Sequence, residues 1–175
     1  MVGTVDGSEL TAGAGPGGEV TLAVVDRALR AQVLALAPHP PQRRWSGVPG
    51  DTLGPAERDP AQRPVAILLD GRPVGFLVLH GGVSAGRFVR PHGELLIRAF
   101  FVDATYQGRG VARRALALLP AFVRSLDPAV TRLVLTVNVE NEHAQRAYTR
   151  AGFVDTGARY QRPGGGPQLV LELPI

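Results

Sequence analysis

The chain has 175 residues, of which 45% are hydrophobic and 19% are charged, a composition typical of one globular domain and unlike that of disordered or collagen-like chains. It contains no cysteine, which excludes thiol nucleophiles, thiolate metal sites and disulfides. All 19 basic residues are arginine. Without lysine, the chain has neither a Walker A phosphate loop nor a Schiff base to pyridoxal phosphate.

The net charge of +4 does not by itself indicate a nucleic-acid partner. The arginines are interleaved with acidic residues and form no basic stripe with aromatic spacing, so we expect no nucleic-acid binding. Neither a signal peptide nor a long apolar segment is found after Met1, so we expect no membrane partner and a cytoplasmic location.

The amino-terminal region changes character after its first 18 residues. Residues 1–18 are rich in Gly, Ala, Thr and Pro and contain few large apolar side chains, which predicts a flexible tail before a single domain over residues 19–175. Apolar residues at 20–25 predict a short strand, and Asp26 is placed to cap a helix. The prolines and glycines of 38–64 predict a loop or short helix on the substrate side.

The central part of the chain predicts a hairpin, a buried strand and a helix. Two apolar runs joined by Asp70 and Gly71 predict a β-hairpin over residues 65–79. Glu94 to Val102 is almost continuously apolar, as in a strand buried on both faces. Apolar residues then recur at steps of three and four over 111–123, which predicts an amphipathic helix.

The carboxy-terminal part alternates between the same two kinds of element. Residues 133–139 predict a strand, and Asn141 is placed to cap a helix over 142–150. Two further strands are predicted at 153–160 and 169–173. Together these elements predict an α/β (α+β) fold with a mixed sheet flanked by helices.

The turn between the strand ending at Val102 and the following helix has the features of an anion site. Unpaired amide groups and the positive end of the helix dipole attract phosphate. Gly108 and Gly110 allow close approach of a diphosphate to the backbone, and Arg109 adds a positive charge. The same glycines also fit a tight connection that binds nothing.

Two motifs resemble those of the GCN5-related N-acetyltransferase (GNAT) family. The turn resembles the family's Gln/Arg-x-x-Gly-x-Gly/Ala signature, with the residues Gln107, Gly108, Arg109, Gly110, Val111 and Ala112. A second stretch resembles the pattern Asn-x-x-Ala-x-x-x-Tyr-x-x-x-Gly-Phe, with Asn141, Ala144, Tyr148, Gly152 and Phe153. The resemblance covers about residues 20–175 and implies a mostly antiparallel sheet, acetyl-CoA as co-substrate and transfer to an amine.

The resemblance also implies roles for individual residues. The family's central strand diverges from its neighbour, so backbone groups of Phe100 and Val102 would bind the pantetheine arm and the acetyl oxygen, and residues 107–112 the diphosphate. Tyr148 would protonate the departing sulfur, although a core aromatic is the alternative. Asn141 would bind the coenzyme arm while it caps its helix.

Glu94, at the start of the buried strand, is the carboxylate that we expect to accept the proton of the attacking amine. The alternative is an ion pair with Arg98, which lies on the same face of the strand. Because no cysteine is present to carry an acetyl group, we expect direct transfer in a ternary complex.

The sequence does not support two other kinds of site. Residues 82–86 spell the Gly-x-Ser-x-Gly nucleophile elbow of serine hydrolases, but no helical period follows, as an elbow requires. The histidines show no metal-ligand spacing, so we predict no metal.

The acceptor amine is the least constrained part of the reaction. Residues 37–42 and 73–76 resemble the spermine and spermidine acetyltransferase branch, which favours a polyamine bound by carboxylates such as Asp51, Glu57 and Glu94. A protein amino terminus, an amino acid and an antibiotic amine are alternatives. A non-catalytic acyl-CoA sensor is the alternative function, and the chain is expected to be a monomer or a homodimer.

Overall fold

The computed structural model describes residues 10–15 and 17–175 of the protein, in which eight strands and four α-helices form. The strands are β1 (Leu10–Gly15), β2 (Gly18–Val24), β3 (Gln62–Leu69), β4 (Arg72–His80), β5 (Glu94–Val102), β6 (Arg132–Asn138), β7 (Val154–Arg162) and β8 (Gly166–Pro174). The helices are α1 (Arg27–Leu34), α2 (Pro49–Arg58), α3 (Val111–Leu126) and α4 (Glu142–Arg150).

The strands form one sheet in the order β1-β2-β3-β4-β5-β6-β8-β7. Every neighbouring pair is antiparallel except β5 and β6, which are parallel. A parallel pair needs a crossover connection, and α3 provides it. The predicted mixed, mostly antiparallel sheet with flanking helices is confirmed.

Several local predictions are confirmed at their expected residues. Asp70 and Gly71 join β3 to β4 with φ angles of 49° and 76°, as the hairpin turn requires. The carboxylate of Asp26 accepts a hydrogen bond from the amide of Leu29 at 2.8 Å and caps α1.

Two segments are more regular than we predicted. β1 forms inside the predicted tail and pairs with β2, because backbone hydrogen bonds to a neighbouring strand need no large apolar side chains. The remainder of that predicted tail, residues 1–9 and 16, lies outside the described residues. For residues 38–64 we predicted a loop or a short helix, and a short helix forms as α2. Pro49 lies in its first turn, where the amide hydrogen that proline lacks is not needed for a helical hydrogen bond.

The two faces of the sheet bury separate hydrophobic clusters. On one face, α3 and α4 contribute residues such as Leu119, Phe122 and Tyr148. On the other face, α1 and α2 pack Val33 and Leu53 against β3 and β4. In the described part of the chain, no helix is long and apolar enough to cross a membrane.

Candidate active site

The central feature of the site is a gap between β5 and β6. The two strands pair only from Glu94 with Arg132 to Ile97 with Leu135. Beyond that point both strands continue, but their backbones no longer pair. The register between β4 and β5 also shifts near Ala99, whose φ is 52°. A bulge of this kind bends a strand, and here it accompanies the divergence of β5 from β6.

Peptide groups at the end of β5 point into this gap. The amide of Asp103 donates to the carbonyl of Val74 on β4 at 2.8 Å. Because peptide groups alternate in direction along a strand, those of Val102 and Phe100 face away from β4. The Val102 carbonyl accepts a hydrogen bond from Nε2 of Gln107 at 2.9 Å. Its amide faces the gap, where none of the described strands pairs with it.

The start of α3 has amide groups without intrahelical partners. The first bond of the helix runs from the amide of Arg114 to the carbonyl of Gly110 at 3.1 Å, so the amides of residues 111–113 have no acceptor within the helix. Gly110, in the left-handed conformation, has no side chain to cap them. A Cβ atom added at Gly108 or Gly110 would meet nothing within 4 Å, so the loop borders open space.

The start of α4 lies at the same edge of the sheet, because β5 and β6 are parallel and each is followed by a helix that runs back across the sheet. Asn141 caps α4: its side-chain oxygen accepts a hydrogen bond from the amide of Ala144 at 3.2 Å. The side-chain nitrogen of Asn141 makes no hydrogen bond to any residue that the structure describes. The cap therefore leaves this donor for a ligand.

Tyr148 of α4 lies beside the gap. Its ring packs edge-on against Phe100 and Phe153, with centroids 6.0 Å and 5.8 Å away. The side chain is buried, and burial raises the pKa of the phenol above its ordinary value. No hydrogen-bond partner of its hydroxyl is found among residues 17–175. The phenol is thus protonated at neutral pH, as a general acid must be. Its ring also packs in the core, which is the alternative role predicted from the sequence.

Glu94 does not join this group. It lies at the opposite end of β5 from Val102, and its buried carboxylate accepts hydrogen bonds from Nη2 of Arg132 at 2.7 Å and the amide of Arg90 at 2.6 Å. Burial acts to raise the pKa of Glu94, but these hydrogen bonds and the nearby arginine charges hold it below its ordinary value.

The position and the partners of Glu94 favour a structural role over the predicted role as base. Six residues separate it from Phe100, or roughly 20 Å of strand. The alternative prediction, an ion pair between Glu94 and Arg98, is wrong because Glu94 pairs with Arg132. Arg98 lies roughly 13 Å along the strand from Glu94, whereas Arg132 is directly opposite on β6, roughly 5 Å away between backbones.

The nucleophile-elbow motif forms no elbow. Ser84 lies in a three-residue 3₁₀ turn, 2.9 Å from Nε2 of His80. Nη1 of Arg98 lies 3.2 Å from Nδ1 of the same imidazole. Since a guanidinium can only donate, Nδ1 accepts and Nε2 carries the proton. His80 cannot then remove a proton from Ser84, which supports rejecting the hydrolase.

A cavity of about 870 Å³ lies on the face of the sheet covered by α2 and reaches Tyr148 through the gap. Its walls include Trp45, Asp51, Thr52, Arg87, Phe88, Arg98, Phe100, Tyr148, Tyr160 and Arg162. Of the three carboxylates expected to bind an acceptor, only Asp51 lines it. Glu57 instead binds Arg30 at 2.8 Å. Sequence reasoning missed the cavity's aromatic and arginine residues, which come from separate segments and form no motif.

Comparison with known proteins identifies the family. The sequence profile of the Acetyltransferase (GNAT) family matches residues 4–153. The N-acetyltransferase YbbJ of Bacillus subtilis (strain 168) is 35% identical over 130 residues, which cover 74% of this chain and 81% of that protein. The spermine/spermidine N(1)-acetyltransferase of the same strain is 30% identical over 95 residues, which cover 54% of this chain and 61% of that protein.

Solved structures agree on the fold. An aminoglycoside acetyltransferase in complex with coenzyme A superposes with a TM-score of 0.69 at 21% identity, covering 89% of this chain and 94% of that one. Spermidine N-acetyltransferase from Vibrio cholerae, in complex with CoA and spermine, gives a TM-score of 0.66 at 17% identity, with coverage of 89% and 95%. The chain therefore belongs to the GNAT family of N-acetyltransferases.

Proposed function

We propose that the protein transfers the acetyl group of acetyl-CoA directly to a primary amine within a ternary complex. The observation that carries this proposal is the gap between β5 and β6, flanked by the uncapped start of α3 and by the protonated phenol of Tyr148. Coenzyme A in the solved structures of other family members supports the choice of co-substrate.

The residues at the open edge fit the coenzyme. The amides of residues 108–112 would bind its diphosphate, because they are unpaired and stand at the positive end of α3. Arg109, which lies over the ring of Tyr106 at 5.4 Å, would add a positive charge. Gln107 contributes its backbone, since its side chain is already bonded to Gln42 and Val102.

The same edge would hold the rest of the co-substrate. Amides of Phe100 and Val102 that face the gap would bind the pantetheine arm and the acetyl oxygen. The arm would thereby occupy the place of a pairing strand. The free side-chain nitrogen of Asn141 would donate to the arm. The acetyl group would then lie in the gap near Tyr148.

In the proposed reaction, the amine nitrogen attacks the thioester carbonyl carbon and forms the amide bond. The carbon–sulfur bond breaks, and Tyr148 donates its proton to the departing sulfur, giving free coenzyme A. The proton lost by the amine nitrogen returns to the phenolate of Tyr148 and restores the phenol. No step is assigned to Glu94, whose carboxylate is bonded to arginines at the other end of β5.

A small amine is the proposed acceptor class. Similar proteins include a spermine/spermidine acetyltransferase and an L-2,4-diaminobutyric acid acetyltransferase of Streptomyces avermitilis, the latter 39% identical over 85 residues, 49% of this chain and 44% of that protein. The cavity of about 870 Å³ is large enough for molecules of this size.

Two measurements test the proposal. Titration of the protein with CoA and with acetyl-CoA should give saturable binding. Release of free thiol from acetyl-CoA should rise above the rate without acceptor for at least one member of a panel of primary amines. Binding without turnover of any amine would identify the acyl-CoA sensor instead. The absence of coenzyme binding to folded protein would reject both functions.

A further inference from the structure

We propose that the acceptor is a primary amine that carries a carboxylate group, such as a free amino acid with a side-chain amine. This inference rests on the proposed function and narrows its substrate class. Its basis is the set of charged side chains that line the cavity on the α2 face. No sequence motif contains these residues.

The cavity wall carries an excess of positive charge. Three arginines line it, namely Arg87, Arg98 and Arg162, against the single carboxylate of Asp51. A cleft lined mainly by one sign of charge concentrates ligands of the opposite sign. Guanidinium groups also match the geometry of a carboxylate, with two parallel hydrogen bonds. A purely cationic polyamine would meet repulsion from this wall.

The three arginines that line the cavity have no acidic partner within ion-pair distance among residues 17–175. By contrast, Arg30, Arg90, Arg132, Arg146 and Arg159 each form an ion pair with Asp or Glu. Their charges are therefore compensated within the protein, whereas those of Arg87, Arg98 and Arg162 face the cavity uncompensated.

Two of the three arginines are held by contacts that leave donors free. Nη1 of Arg98 donates to Nδ1 of the buried His80 at 3.2 Å. Arg87 lies over the rings of Phe88 and Tyr160 at 5.2 Å and 5.3 Å, a stacking that leaves the edge of a guanidinium open for a ligand. Both side chains are thereby oriented before a ligand arrives.

Arg98 also lies close to the transfer point. It precedes Phe100 by two residues, or roughly 7 Å of strand, and Phe100 contacts Tyr148. Its side chain projects to the face opposite Ile97, which packs with α3. Arg98 therefore lies on the face opposite α3. It is too far from the start of α3 to serve as a ligand of the coenzyme's diphosphate.

The test uses pairs of amines that differ only in the carboxylate: L-lysine with cadaverine, L-ornithine with putrescine, and L-2,4-diaminobutyrate with 1,3-diaminopropane. We expect kcat/KM to be about tenfold or more higher for the carboxylate member of at least one pair, as for one charge-assisted hydrogen bond. If each decarboxylated member is acetylated equally well or better, the inference is wrong while the proposed function stands.

Variants assign the preference to the cavity. Arg98→Gln, and separately Arg87→Gln, should raise KM for the carboxylate member about tenfold and leave its partner amine and CoA affinity unchanged. The matched control is Arg124→Gln, which removes the same charge from an exposed position in the last turn of α3. An equal effect of Arg124→Gln would show that the preference depends only on the net charge of the protein, and would overturn the assignment to the cavity.

Calorimetry separates this inference from the proposed function. L-lysine and cadaverine are titrated into the protein saturated with CoA, so the result does not depend on turnover. Tighter binding of L-lysine, lost in Arg98→Gln, supports the inference even if no acetylation occurs. Equal or tighter binding of cadaverine contradicts it, and acetylation of any amine in the panel shows that the proposed function holds regardless.

Discussion

The two ends of the β5–β6 pair differ in backbone pairing and in the hydrogen-bond partners of their polar groups. At one end the backbones pair over four residues of each strand, and the side chains of Glu94, Arg132 and Glu172 link β5, β6 and β8 by ion pairs. At the other end the strands separate, and the space between them is bordered by Tyr148, by free peptide groups and by the start of α3.

The difference between the ends shows how one strand pair can serve both stability and chemistry. At the closed end, Nη1 and Nη2 of Arg132 bind the carboxylates of Glu172 and Glu94 and so link three strands, although Nε of the same guanidinium has no partner among the described residues. At the open end, the amide of Val102 and the first amides of α3 lack partners among the described residues, which costs stability. That cost is consistent with a ligand that completes the missing hydrogen bonds.

The largest expected effect is at the open end. Tyr148→Phe keeps the ring and its packing but removes the proposed acid, so kcat should fall roughly 100- to 1000-fold with CoA affinity unchanged. Because burial raises the pKa of Tyr148, the parent enzyme should not lose this acid as pH approaches about 10, the ordinary pKa of tyrosine. Steady-state rates at several pH values test both statements, and a variant with the parent's kcat would contradict the acid role.

The second effect is at the closed end. Arg132→Met leaves the buried carboxylate of Glu94 without its main partner, so the free energy of unfolding should fall by about 2–3 kcal/mol. Denaturant titration measures this loss. The kcat of the folded fraction should stay close to that of the parent, because the ion pairs lie far from the gap. A large loss of kcat in fully folded protein would show that the two ends are not independent.

The same ion pairs predict a dependence of stability on pH. Since the folded pKa of Glu94 lies below its unfolded value, its contribution is present above about 4.3, the unfolded value, and is lost as pH falls through the folded pKa. Glu94→Gln should therefore flatten the acid side of the stability profile. An unchanged profile would contradict this role of Glu94.

A smaller effect is expected at the start of α3. Gly110→Asp and Gly110→Asn have similar size and similar tolerance of the left-handed backbone, but only Asp adds a negative charge where the diphosphate would bind. We expect CoA affinity to be about tenfold lower in the Asp variant than in the Asn variant. Aspartate at a helix start also stabilises the helix, so melting temperature should not fall with affinity. Equal affinities would argue against the anion site.

The smallest effect concerns Asn141. Asn141→Ala removes the cap of α4 and should lower the free energy of unfolding by about 1 kcal/mol. Asn141→Asp keeps a capping oxygen but loses the side-chain nitrogen, so it should retain stability and weaken coenzyme binding. If both variants weaken CoA binding equally and the Asp variant is also destabilised, the two roles of Asn141 cannot be separated.

Features that depend on neighbouring residues were predictable. The cap at Asp26, the turn at Asp70 and Gly71 and the cap at Asn141 each involve atoms within a few residues of one another. The family motifs were recognisable for the same reason, because a loop with its following helix is continuous in sequence. The fold class followed from the order of such elements.

Features that depend on strand register were not predictable. The partner of Glu94 was sought along its own strand, but the parallel alignment of β5 and β6 places Arg132 opposite it. The three carboxylates expected to bind an acceptor do not lie together in the fold. Glu57 pairs with Arg30 of α1, and of the three only Asp51 lines the cavity.

The sequence by itself determined where the helices start, where the hairpin turns and which loop can bind an anion, because short-range sterics and hydrogen bonds decide these features. Only the tertiary structure decided which charges are compensated and which face the cavity. Residues such as Arg87, Arg98 and Arg162 meet there because strand order and register bring distant segments together, and pairing between strands leaves no local pattern.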